Sequence, residues 1–281
     1  MKIIQSLWLF GKYGSLRNKN GWLAAEFHWM SWALSSLQLS KYYKELEIYL
    51  NDNAEAVLID LLELPYTSVN LYPGNIEVNE EAWALAKIYT YSFQKEPFLH
   101  VDGDVFIWKP FESKLVDAPL VAQNKELALD FYSQVLKEVN RDFRYIPPLL
   151  KSLGQGPFNS CNAGVLGGND IHLLRKFSHC VIDFVARNEG VFIKSKSTNY
   201  CMLFEQLYFY YQAEQSKVPI SYVFDIPVDN PLYIGFADFS GVPHSTSFIH
   251  TMGKLKQVPA VCNHLSKRLR KDFPETYYKI L

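Results

Sequence analysis

Residues 98–110 read FLHVDGDVFIWKP, an apolar run that ends on two aspartates separated by one glycine. In extended chain, side chains two residues apart point to the same side, so Asp102 and Asp104 present both carboxylates to one locus. Gly103 between them leaves room for a ligand to approach the backbone. Two hard oxygen donors at a strand end suit Mn2+ or Mg2+, ions typically shared between one or two carboxylates and the phosphates of a substrate. The same residues also fit a plain polar turn after a buried strand, with His100 a core residue just before it.

The elements that must position this pair alternate in type. Strands are expected over 3–10, 46–50, 68–72 and 98–101, and helices over 22–43, 54–62 and 80–94, with Asn79 as a cap and Glu80 and Glu81 in the first turn. Trp22, Trp29 and Trp32 fall at helical spacing and read as core, with Trp22 also placed to stack on a ligand. Such alternation predicts an α/β fold, a mostly parallel, Rossmann-like central sheet flanked by helices, with the ligand crevice beyond the carboxyl ends of the strands. In the second half, 121–139 reads as a helix. Residues 154–168, GQGPFNSCNAGVLGG, read as a turn-rich stretch in which Gly167 and Gly168 turn the chain. Helices are expected over 171–188, 200–213 and 262–272, and short strands over 221–225 and 247–250. No repeat or linker interrupts the chain, so one domain over 1–281 is expected.

Three more segments follow the aspartates in order. They are Asn162-Ala163-Gly164-Val165, then Glu205-Gln206 at an expected helix start, then His250-Thr251-Met252-Gly253-Lys254-Leu255-Lys256. Together with the apolar strand running into D-x-D, this series resembles the glycosyltransferases of the GT-A fold, and family 8 and its relatives in particular. The resemblance spans roughly residues 80 to 256. It implies a nucleotide- and metal-binding half over about 1–115 and a sugar and acceptor half over about 116–281.

The resemblance also implies roles. Asp104 would be a metal ligand, Asp102 would bind metal, donor ribose or both, and His250 would be the third ligand of Mn2+ (or Mg2+). Lys256 would pair with donor phosphate, and Gly253 would let its loop close over the diphosphate. Asn162, Ala163 and Gly164 would line the sugar pocket, Glu205 and Gln206 would sit beneath the reacting carbon, and Lys87 would contact phosphate or Asp102. The implied activity is metal-dependent transfer from a nucleotide-sugar donor, UDP-linked by analogy, to a saccharide or lipid-linked acceptor, as in polysaccharide biosynthesis. The sequence departs from the pattern in having Glu205 for the usual Asp and in lacking Pro-Trp after Lys256.

Composition narrows the field. Lys and Arg number 28 against 29 Asp and Glu, a formal charge of −1, which argues against a general nucleic-acid binder. The hydrophobic fraction of 48% argues against disorder. The four cysteines lie far apart with no C-x-x-C pair, so free thiols are expected. The absence of an apolar run of ~18 residues predicts a cytoplasmic protein without a spanning helix. Lys267-Arg268-Leu269-Arg270-Lys271 is a basic run that allows peripheral contact with anionic lipid. Two other readings stay open: a haloacid-dehalogenase-like phosphatase with Asp102 as nucleophile, and a non-catalytic nucleotide-sugar or glycan-binding protein of the same fold.

Overall fold

Nine strands are found in the computed structural model, which describes residues 1–11, 16–195, 199–228 and 234–281. They are β1 (Lys2–Leu7), β2 (Leu46–Leu50), β3 (Ser68–Leu71), β4 (Phe98–Val101), β5 (Val105–Ile107), β6 (Leu120–Leu129), β7 (Phe158–Gly168), β8 (Ile220–Val228) and β9 (Phe248–His250). The fold is mixed α/β with a mostly parallel central sheet flanked by helices, as the alternation of elements predicts, and it is compatible with a Rossmann-like fold. No described helix is long and apolar enough to cross a membrane.

Contacts divide the chain into two units. The terminal unit holds Lys2–Tyr72, Val101–Pro110 and Leu232–Leu281; the central unit holds Pro73–His100 and Phe111–Pro231, with Met1. In the terminal unit β1, β2 and β3 run parallel in the order β3-β2-β1, with Ile3 opposite Leu46 and Leu50 opposite Leu71. The Ala25–Ser40 helix links β1 to β2 and is buried along most of its length, from His28 to Leu39. The Pro259–Asp272 helix starts on a proline, whose fixed φ suits the first helical turn, and buries Cys262, Leu265 and Leu269 along one face. These meet Leu7, Trp29, Leu34, Leu50 and Ile249 in one core cluster. Burying each large side chain of that kind contributes about 1.5–3 kcal/mol.

The central unit orders its strands β4-β7-β6-β8, β6 being antiparallel to β7 and parallel to β8. Helices Leu85–Phe93, Phe131–Asp142, Ile171–Arg187 and Tyr208–Ser216 belong to it.

Several expectations are corrected. The helix expected over 121–139 is a strand to Leu129 and a helix only from Phe131. Residues 120–124 are buried without interruption, which suits a strand covered on both faces, so burial overrides the helix propensity of Ala, Gln, Lys and Glu. Of the turn-rich stretch expected over 154–168, residues 154–157 lie outside any helix or strand, but Phe158–Gly168 is an eleven-residue strand, β7, buried at every position but Asn159. Its glycines belong there for space: a Cβ on Gly167 would stand 2.1 Å from the Phe98 carbonyl oxygen. Asn79 makes no side-chain cap; its amide donates to Glu189 at 3.4 Å, and the expected helix is a short 3-10 turn at Glu80–Ala82 followed by Leu85–Phe93. Glu205 and Gln206 do not open a helix. They lie inside a wide π-type turn, Leu203–Leu207, between Asn199–Met202 and Tyr208–Ser216. Among the elements not anticipated are β5 and the helices Ser113–Val116, Pro148–Ser152, Glu189–Ser195 and Pro274–Ile280. All four cysteines are free, and Cys161, Cys201 and Cys262 are buried.

The close approach at β7 gives a first test. Gly167→Ala should lower unfolding free energy in urea by about 1–3 kcal/mol, the usual range for overpacking. Gly154→Ala, which meets nothing within 4 Å, should leave it nearly unchanged.

Candidate functional site

The aspartate turn is held by its own backbone. Gln5, a lone amide in an apolar strand, donates its Nε2 to the Val101 carbonyl at 3.1 Å and to Ser35 Oγ at 3.0 Å, and accepts from the Tyr66 hydroxyl at 2.8 Å. The Ser31 hydroxyl donates to the Gly103 carbonyl at 2.7 Å, and the Ser35 hydroxyl to the Asp102 carbonyl at 3.4 Å. Ser31, Trp32 and Ser35 are neighbours on one helical face. A Cβ on Gly103 would stand 2.5 Å from the Trp32 ring, so the turn can lie flat on the helix only with glycine there. His28, one turn earlier on the same face, is 1% exposed, and its Nε2 has no hydrogen-bond partner.

Directly after the turn, β5 pairs antiparallel with β9, Val105 opposite His250. The Thr251 amide then donates to the Asp104 carbonyl at 3.0 Å. This ladder brings the second aspartate to the His250–Lys256 segment. Nε2 of His250 lies 3.3 Å from Asp104 Oδ1, and Nζ of Lys256 lies 2.7 Å from Oδ2. Lys256 also stands over the Trp22 ring, 5.8 Å from its centroid, and its carbonyl accepts from the Leu23 amide at 3.0 Å and from Cys262 Sγ at 3.2 Å. Gly253, at φ +47°, opens the 3-10 turn that carries the lysine.

Burial alone would raise the Asp104 carboxyl, but the Lys256 and His250 charges and hydrogen bonds outweigh it and hold the group far below the usual carboxylate range. Burial, with Lys256 adding to it, pushes His28 down to about 3. One ligand atom each from Asp102, Asp104 and His250 lies within 4.8 Å of the others, the one such His/Cys/Asp/Glu trio among the described residues. Two carboxylates and an imidazole form a donor set that suits Mn2+ and admits Mg2+.

The remaining expected site residues lie in the central unit. Lys87 is buried, forms an ion pair with Glu205, and donates to the Ala163 carbonyl at 3.3 Å. Asn162 Oδ1 accepts from the Gly164 amide at 2.9 Å, and Gln206 Oε1 from the Tyr132 hydroxyl at 3.1 Å. Glu126, which sequence reasoning passed over, accepts from Ser160 beside an irregularity in the β6–β7 ladder. Burial pushes the Cys161 thiol up, and the charges of Glu126 and Glu205 push it further, so two buried carboxylates flank one cysteine. His100 is buried against Tyr91, 5.3 Å between ring centroids; burial and then Lys87 hold it well below its ordinary value.

Over residues 1–281 the sequence matches a family of unknown function, DUF6734. The chain belongs to that family. No curated protein matches it.

A polar residue in an otherwise apolar element was the signal for the residues that were missed. Gln5 interrupts KIIQSL, and Ser31 and Ser35 interrupt the apolar face of the helix that follows.

Buried His28 makes a pH prediction. The unfolded chain binds this proton near pH 6.5 and the folded one only near 3, so stability is complete above 6.5 and declines as pH falls toward 3. The slope is about 1.4 kcal/mol per pH unit at most. His28→Gln should flatten this decline in acid-to-neutral urea titrations without abolishing it, because His100 contributes a slope of the same sign.

Proposed function

We propose that the protein is a metal-dependent glycosyltransferase that moves a sugar from a nucleotide-diphosphate donor, UDP-linked, to a saccharide or lipid-linked acceptor. One observation carries the reading: the D-G-D turn and the H-x-x-G-x-x-K segment, remote in sequence, meet at Asp104 through the β5–β9 ladder. Both ends of that contact have the residue types the reaction needs for a diphosphate leaving group.

In this reading Asp102, Asp104 and His250 hold Mn2+ or Mg2+, which supplies a Lewis acid for the diphosphate. Lys256 exchanges its partner: the ammonium now on Asp104 turns to the donor phosphates once Asp104 is engaged elsewhere. Trp22 beneath it limits the directions in which it can turn. Asn162, Ala163 and Gly164 serve the transferred sugar, and Gln206 orients its hydroxyls. The bond from the anomeric carbon to the diphosphate oxygen breaks, the acceptor hydroxyl oxygen bonds to that carbon, and the hydroxyl proton leaves to a carboxylate. Glu205 is the carboxylate assigned to the developing positive charge, with Lys87 fixing its position. Polysaccharide biosynthesis in the cytoplasm, with peripheral contact to anionic lipid through Lys267–Lys271, is the setting that belongs with this reaction.

Calorimetric titration of UDP, with GDP as control, tests it. UDP should bind in the presence of Mn2+ and at least about tenfold more weakly without it, a typical loss when a metal site is disturbed. Asp104→Asn should remove the metal dependence, and Lys256→Ala should weaken UDP while leaving Mn2+ binding intact. UDP binding that is indifferent to Mn2+ and unchanged in Asp104→Asn would sink the reading.

A further inference from the structure

The basic run near the C-terminus is not one solvated face. Leu269 is in the core, and the Arg270 guanidinium lies 5.9 and 5.6 Å from the ring centroids of Tyr277 and Tyr278. Lys267, Arg268 and Lys271 lie with His264 at offsets of three, four and seven, hence on one helical face. With Phe239 and Ser240 they line a shallow cavity of about 180 Å3, open to solvent, in the terminal unit.

Arg268 is fixed in place. Its Nε donates to Asp272 Oδ2 at 2.7 Å and its Nη1 to the Val242 carbonyl at 3.3 Å, and the guanidinium stands 5.1 Å from the Trp108 ring centroid. Holding a guanidinium this way lowers the ordering cost of a ligand that binds it. Two carboxylates lie nearby. Asp272 is shared among Arg268, the Gln38 amide at 3.0 Å and the Trp108 indole at 3.4 Å; Asp238 is held by the Ser240 amide at 2.9 Å and by its hydroxyl. Among the described residues neither Lys267 nor Lys271 forms an ion pair, so the cavity keeps an excess of positive charge.

We propose that this cavity binds a phosphate-bearing ligand, its phosphate group taken by Lys267, Lys271 and the fixed Arg268 guanidinium. A phosphate monoester offers three oxygens for the three donors and nearly two negative charges for the two ammonium groups, Arg268 being balanced already by Asp272. Buried Phe239 supplies an apolar wall for what the phosphate is attached to. The assignment does not depend on the transferase reading, since none of these side chains belongs to the Asp104 site.

The probe is inorganic phosphate, titrated calorimetrically against chloride at constant ionic strength, with chelator present. Saturable one-to-one binding is expected. It should weaken at least about tenfold in Lys267→Ala/Lys271→Ala, as for the loss of charge-assisted hydrogen bonds. Arg270→Ala removes the same charge from the same helix outside the cavity, and Lys256→Ala empties the Asp104 site of its lysine; both should bind phosphate as the wild type does. Absence of binding, equal loss in Arg270→Ala, or loss in Lys256→Ala alone overturns the assignment. Vesicles of equimolar phosphatidylcholine and phosphatidic acid identify the source. Sedimentation with them that free phosphate reverses marks a lipid headgroup, and binding of free phosphate without sedimentation marks a soluble ester.

Discussion

The three-residue ladder between β5 and β9 is the contact on which the candidate metal site depends. A two-stranded pair of this length is marginal by itself. Here both strands are fully buried, and Phe106 and Ile249 are part of the core cluster of the terminal unit. Packing therefore stabilises the ladder, and the ladder sets the position of His250 and Lys256 against Asp104. Antiparallel pairing also sets the register: with Val105 opposite His250, the residue before the one strand and those after the other are forced together.

The turn itself is held by acceptors rather than by its carboxylates. The carbonyls of Val101, Asp102 and Gly103 lie at and just beyond the end of β4, where a buried carbonyl left unpaired is costly. Gln5, Ser31 and Ser35 meet that need from β1 and the helix after it. The polar contacts that hold the turn thus fall on its backbone carbonyls. Asp104 is then free to be governed by Lys256 and His250, whose combined pull exceeds the cost of burying its charge.

Strands whose ends carry breakers were legible from sequence. β2 and β4 match expectation residue for residue, because Asn51-Asp52-Asn53 and Asp102-Gly103 stop them. Asp102, Asp104 and His250 were legible as well, being rare donor types at the ends of apolar runs. What failed was periodicity in the densest part of the central unit. A strand buried on both faces, such as β6 or β7, shows neither period two nor period 3.6, and glycines that serve close packing look like turn glycines. The buried Lys87–Glu205 pair and the buried Glu126 were only half visible. Lys87 and Glu205 came from motif order, whereas Glu126 sits in a segment whose composition favours helix.

An α/β fold accommodates many chemistries, so the fold class alone argues for none of them. The stronger constraint is how the terminal unit is assembled. Its sheet comes from the first residues of the chain, its aspartate turn from the middle, and its histidine, lysine and basic helix from the last fifty or so. The Pro259–Asp272 helix joins these parts: Cys262, Leu265 and Leu269 enter the core beside Leu34 and Ile249, and Cys262 also bonds the carbonyl of Lys256. The C-terminal segment is thus no appendage to a preformed site. The packing that seats this helix in the core also carries Lys256 to Asp104, so a change that loosens the helix from the core should weaken the ion pair.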